Sequence, residues 1–248
     1  MAKPIQLLAK SSKLLHSLAE KGALPISELA EELDMPRPSV YRLIDALRLV
    51  GLVSTTEDGR SQLGVEVLHL ARAVLDALPE ARAAQGELQR LNQVTGQTVY
   101  LCAPRDNRVA CLDWVRGTRV SLLALSPGGT LPVNAGATSR AVLAYSPGLL
   151  ARLSGSPFEQ LTPKTLASLE SLERDGKAIR DRGYSVSNED VTLGVSALGV
   201  PVFGPAGELS CAISLAGLTD DILGNEPEYA NELLTSAFRI QEALKASQ

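Results

Sequence analysis

Residues 26–64, ISELAEELDMPRPSVYRLIDALRLVGLVSTTEDGRSQLG, hold the most restrictive pattern in the chain. Leu29, Ala30 and Leu33 recur at helical spacing, Ser27 is the expected N-cap, and Met35-Pro36 stops the helix. Pro38 falls in the first turn of a second, longer helix, where its missing N–H breaks no hydrogen bond. Val40, Leu43, Ile44, Leu47 and Val50 give that helix a buried stripe, and Gly51 ends it. Two short strands, 52–56 and 60–63, follow across Glu57-Asp58-Gly59. Helix, tight turn, longer helix and hairpin is the order of a winged helix-turn-helix, a fold that offers its second helix to a DNA major groove.

The side chains on this module fit that expectation. Arg37 and Ser39 open the second helix, where base edges are reached, and Arg42 lies one turn further along. Tyr41 is placed to pack on the wing or touch the sugar-phosphate backbone. Arg60 follows the wing turn, within reach of a phosphate or the minor groove. The formal net charge of −4 runs against nucleic acid, but the distribution is uneven. Residues 1–64 carry eight basic and eight acidic side chains, so the rest of the chain holds the whole deficit. Acids crowd the helix at 27–34, and bases sit on the next helix and the wing. The competing reading of the same pattern is a helical protein-interaction module that never meets DNA.

Around this module the chain alternates helical and strand patterns. A first helix spans 4–21, with Leu7, Leu8, Leu14, Leu15 and Leu18 near helical period. Residues 65–78 and 80–94 form two amphipathic helices separated by Pro79. Strands are expected at 98–104, 108–115 and 121–126 as a meander, at 184–186, and at 195–203 and 208–215 as a hairpin. Helices are expected over 136–143, 163–182 and 226–245. The sum is an α+β chain in three segments: a winged head over 1–64, a helical connector over 65–94, and an antiparallel-sheet domain over 95–248.

Catalytic chemistry finds no support. The two histidines, His16 and His69, both precede the sheet domain, and each reads as a packed or surface histidine. No Cys-plus-His pair follows them to activate a nucleophile or hold a metal. The run Gly194-Val195-Ser196-Ala197-Leu198-Gly199 approaches a nucleophile elbow, but its second glycine comes one residue late. Glu189-Asp190 and Asp220-Asp221 read as solvated loop carboxylates. Cys102, Cys111 and Cys211 lie in apolar runs without zinc spacing and read as buried, reduced thiols of a cytoplasmic protein, with a regulatory thiol as the alternative. No apolar run approaches the ~20 residues that span a bilayer. No enzyme activity, cofactor or metal is expected.

Taken together, the motifs resemble the IclR family of bacterial transcriptional regulators. The likeness runs through the winged module, the central LPVNAGATSRAVLA (131–144) and RDRGYSVSNEDVTLGVSALGVPVFGPAGELSCAISLAG (180–217). It implies a GAF-like effector domain, and homodimers or dimers of dimers on a double-stranded operator, in a regulator of a catabolic operon. It also implies an acid-binding pocket, with backbone N–H groups at Ala137 and Thr138 holding the ligand. The family completes this pocket with an Asp, a Cys and two Ser. Those positions fall here on Ser187, Ala197, Ser214 and Ala216, and only Ser214 keeps the family residue. Such a depleted pocket predicts a larger or more apolar effector, aromatic acids included, with Tyr100 and Trp114 as candidate lining. The alternative is an enzyme or a ligand-binding module on a GAF-like domain that does not bind DNA.

Overall fold

The computed structural model describes residues 5–119, 124–153, 155 and 157–246. The chain divides into two units, Met1–Ala77 and Leu78–Gln248.

In the first unit, α1 (Gln6–Lys21), α2 (Ile26–Leu33) and α3 (Arg37–Leu49) bury Leu14, Leu18, Leu29, Leu33, Val40, Leu43, Ile44 and Leu47 in one cluster. Pro25, not Ser27, is the N-cap of α2: its extended backbone (ψ 153°) starts the helix two residues early and leaves Ser27 inside the first turn. Val50 is not part of the α3 stripe. It caps the helix and is exposed, because Gly51 at φ 75° turns the chain and Leu52 N–H bonds back to Leu47. The wing is β1 (Val53–Thr55) paired with β2 (Ser61–Leu63); β1 is one residue shorter at each end than the sequence pattern indicates, and β2 one residue shorter at its start. A three-residue hairpin is marginal alone. Here Leu24, in the α1–α2 loop, exchanges both backbone hydrogen bonds with Ser61, at 2.9 and 2.8 Å, and adds a third strand-like edge. Helix α4 (Val65–Ala77) follows and buries none of its residues.

The second unit opens with α5 (Pro79–Thr95), then β3 (Thr98–Arg105), β4 (Arg108–Val115) and β5 (Thr130–Pro132). Three helices come next, α6 (Ala137–Ala144), α7 (Pro147–Leu153) and α8 (Leu169–Arg182). The chain closes with β6 (Ser185–Thr192), β7 (Val195–Phe203), β8 (Leu209–Leu218), α9 (Thr219–Gly224) and α10 (Glu226–Ala246). The strands make one antiparallel sheet in the order β5-β4-β3-β8-β7-β6. This confirms the α+β class and the antiparallel sheet.

Some elements differ from the sequence reading. The expected third meander strand at 121–126 lies partly outside the described residues, and Ala124–Ser126 are not strand. Its place beside β4 is taken by β5. The helix expected from Pro163 starts only at Leu169, where Ser168 and Ser171 form a capping box. Helices α7 and α9 are too short to show a period.

The two sheet faces carry different cores. Leu101, Leu198, Val200, Ile213 and Leu215 pack against Leu88 and Leu91 of α5 and Leu233 and Ile240 of α10. The opposite face takes α6, whose eight residues are all buried. What seats α6 there is Gly199. A Cβ at this position would stand 2.7 Å from the Ala137 carbonyl carbon and 2.9 Å from its oxygen. The Ser185 hydroxyl donates to the same Ala137 oxygen at 2.6 Å. The helix start therefore lies directly on β7. Gly199→Ala must push α6 off the sheet, and we expect a loss of ~1–3 kcal/mol, the usual range for core overpacking, read as a lower midpoint in urea unfolding.

Candidate functional site

The first candidate site is the outer face of the winged unit. Arg37 and Tyr41, one turn apart on α3, converge with Asp58, Gly59 and Arg60 of the wing and Pro25–Ser27 of α2 around an open concavity of about 390 Å³. Arg42 is exposed on α3 but stands outside this concavity. Ser39 is half-buried, and its N–H is spent on the Pro36 carbonyl at 2.8 Å. Arg60 is paired: its Nε lies 2.9 Å from Asp58. A phosphate would have to displace that carboxylate to use it. Among the described residues, neither Arg37 nor Arg42 has an ion-pair partner. The exposed cations of the α3 start are thus ready for an anionic partner without first breaking a bond.

The second candidate site is a cavity between the sheet and the start of α6. The pairing register explains how distant residues meet there. Ser187 lies opposite Ala197, and Ala197 opposite Ala216, in a row across β6, β7 and β8. Two residues along, Ser185, Gly199, Ser214 and Tyr100 form the next row. Side chains two apart on a strand share a face, so both rows point at α6. The cavity is lined by Ala137, Thr138, Ser187, Ala197, Ser214 and Ala216, the six residues singled out from the sequence. Tyr100 also lines it. Trp114 does not: it stays half-buried beside Tyr100, with ring centroids 5.9 Å apart and Arg116 over its ring at 5.3 Å. Leu125, Leu131, Val191 and Val195 supply apolar walls, and among the described residues no charged side chain lines the space.

The cavity volume is about 60 Å³. That falls well short of the roughly 150 Å³ of an apolar cavity that admits benzene. A ring would have to move Leu125 or Leu131. At the start of α6, no side chain caps the first-turn N–H groups. They carry the partial positive charge of the helix end.

A buried ion cluster stands behind this wall. Arg140, the sole charged residue of α6, is 5% exposed. Its Nη1 bonds Asp175 at 2.7 Å, its Nε lies 3.0 Å from Asp190, and its Nη2 donates to the Val186 carbonyl. Asp190 is 2% exposed, so it is not the solvated loop carboxylate that the sequence pattern suggests. Its other contacts are the Gly136 N–H at 3.3 Å and the Ser187 hydroxyl. A lone arginine inside the small-residue run ATSRAVLA was the available signal, since a buried charge demands a partner. Asp221 likewise is not a free loop acid, because it pairs with Arg119 at 2.5 Å and accepts from Gln97 at 2.7 Å.

The three cysteines are free and buried. A hydrogen bond with Cys102 and burial push the Cys111 thiol up, and burial does the same to Cys211. Burial also raises the Tyr100 phenol, with smaller contributions from Cys111 and Cys102, so it keeps its proton at neutral pH. Among the described residues no cluster of three or more His, Cys, Asp or Glu could hold a metal, and no helix is long and apolar enough to cross a membrane.

A winged helix-turn-helix head joined to a domain with a cavity between its sheet and a helix start defines a ligand-responsive transcription regulator. The comparisons agree. The IclR helix-turn-helix domain family matches residues 7–57, and the bacterial transcriptional regulator IclR C-terminal family matches 72–242. The chain belongs to the IclR family of bacterial transcriptional regulators, which are DNA-binding proteins and not enzymes. It is 26% identical over 232 residues to the HTH-type transcriptional regulator KipR of Bacillus subtilis, covering 93% of each chain. It is 27% identical over 227 residues to the transcriptional repressor IclR of Escherichia coli, covering 88% of this chain and 83% of that one. The crystal structure of the Thermotoga maritima IclR superposes with a TM-score of 0.82 at 25% identity, over 98% of this chain and 100% of that one. An IclR homologue from Microbacterium hydrocarbonoxydans, solved in complex with 4-hydroxybenzoate, has the same fold, with a TM-score of 0.82 at 21% identity over 97% and 99% of the two chains.

The ion cluster has a direct energetic consequence. Arg140→Met leaves the buried Asp190 and the partly buried Asp175 without their cation. We expect a loss of about 3–5 kcal/mol at neutral pH, the usual cost of breaking a buried pair, measured by urea unfolding.

Proposed function

We propose that this protein is an effector-responsive regulator of a catabolic operon, acting in the cytoplasm as a homodimer or dimer of dimers. Its working parts are a DNA-reading head (1–64), a helical connector (65–94) and an effector domain (95–248). Arg37, Ser39, Tyr41, Arg42 and Arg60 meet the operator. The effector is a small organic acid in the cavity lined by Ala137, Thr138, Ser187, Ala197, Ser214 and Ala216. The observation that carries this reading is the convergence of those six residues, from α6 and three strands, on one uncharged cavity beside an uncapped helix start. A carboxylate is the natural occupant of such a helix end. An apolar body suits Leu125, Leu131, Val191 and Val195.

Transmission follows from where α5 sits. Its Ala84, Leu88 and Leu91 belong to the sheet's own core, so half of the connector moves with the effector domain. An effector that shifts the sheet population shifts α5, and through Leu78 the end of the other half. That other half, α4, exposes Val65, Leu68, Leu70 and Val74. Isolated helices of this length are marginal in water. A second copy of the same helix covers that face.

Three outcomes test the reading. In gel shifts on the protein's own upstream region, Arg42→Ala weakens binding to all sequences, whereas Arg37→Ala also relaxes base preference, by roughly 1–3 kcal/mol at one position. Equal operator affinity in wild type and both variants would remove the docking face. Leu68→Glu converts the oligomer toward monomer in analytical ultracentrifugation, while circular dichroism stays unchanged. In thermal shift, Leu125→Ala enlarges the cavity and increases the stabilisation given by aromatic acids. If the variant responds to them no more than wild type, the effector does not contact this wall.

A further inference from the structure

The hydroxyl groups facing the cavity do not all have protons to give. The Ser187 hydroxyl donates to Asp190 Oδ1. Asp190 pairs with Arg140, whose Nε lies 3.0 Å from Oδ2, and that Oδ2 also accepts from the Gly136 N–H at 3.3 Å. A carboxylate paired in this way accepts, and a serine hydroxyl has one proton. Ser187 therefore presents lone pairs alone to the cavity. Tyr100 is in the same condition: its hydroxyl donates to the Leu125 carbonyl at 3.3 Å. Ser214, by contrast, has no hydrogen-bond partner among the described residues and keeps its proton for a ligand.

We propose that this cavity selects an effector bearing a hydrogen-bond donor, a hydroxy acid over the matching oxo acid, and that Asp190 imposes the choice through Ser187. The proposal rests on the effector occupying this cavity, as argued above. Asp190 is a positioning residue: it does not line the cavity and acts by fixing the direction of the Ser187 proton. A ligand hydroxyl donates to Ser187 or Tyr100. A ligand carbonyl in the same place sets lone pairs against lone pairs and goes unsatisfied. The relay also keeps the cavity neutral. The serine offers the acceptor without the charge, and the buried cluster holds the charge behind it.

The test uses the full chain and paired acids that fit a small cavity: lactate against pyruvate, 2-hydroxybutyrate against 2-oxobutyrate, and glycolate against methoxyacetate, which is the same acid stripped of its donor. Binding is followed by calorimetry. Wild type should bind the hydroxy acid of each pair about 10- to 100-fold more tightly, the range of one unsatisfied buried acceptor. Methoxyacetate should fall with the oxo acids. Ser187→Ala should bring the ratio toward one, and Ser187→Thr, which keeps the hydroxyl, should restore it. A wild type that binds oxo acids equally or better overturns the proposal without any variant having to fold. A preference that survives in Ser187→Ala overturns the role given to Ser187 and Asp190. Should no acid bind, aromatic ones included, the assignment of the cavity to an acid effector fails, and this selection fails with it.

Discussion

The effector domain is organised around one buried guanidinium. Arg140 sits in a helix with no exposed residue, and a charge there is tolerable only if it is paired and hydrogen-bonded. Asp175 from α8 and the Val186 carbonyl from β6 accept hydrogen bonds from its two Nη groups, and Asp190 of β6 forms an ion pair with its Nε at 3.0 Å. Those contacts hold three elements at one point. They fix the start of α6 through Asp190 and Gly136, and they fix one cavity wall through Asp190 and Ser187. The cavity is thus framed by a charge network that never enters it. The polarity of the space inside is decided by groups one layer behind its surface.

The close approach of α6 to the sheet completes that frame. Helices usually stand off a sheet by the depth of the intervening side chains. Here Gly199 removes the intervening side chain at the helix start, and Ser185 ties the backbone down. The helix end, with its unfilled N–H groups, comes within reach of side chains on three strands. Neither feature needs a large residue, which agrees with a chain that contains only 4% aromatics.

Much of the head was legible from local signals. Leu29, Leu33, Leu43, Ile44 and Leu47 follow the helical period, and Gly51 and Asp58-Gly59 mark the turns they occupy. These patterns act within a few residues, so sequence carries them openly. The cavity was legible only through family resemblance, because Ala137, Ser187 and Ser214 meet by strand register and not by spacing. Asp190 stayed hidden because SNEDVT has the composition of a solvated turn. Its burial is a tertiary fact set by Arg140, fifty residues earlier in the chain. The strand beside β4 was hidden for a related reason: Thr130–Pro132 is too short to show an alternating pattern, and only its pairing with β4 makes it a strand.

The backbone exchange between Leu24 and Ser61 reaches beyond the stability of the wing. It links the loop that follows α1 to the hairpin that follows α3, so the chain of the head closes on itself through hydrogen bonds. A closed loop of this kind shares any load among its members. Motion at the tip of the wing is therefore coupled to α1 and is not confined to the hairpin, so the three helices and the wing behave as one hydrogen-bonded piece.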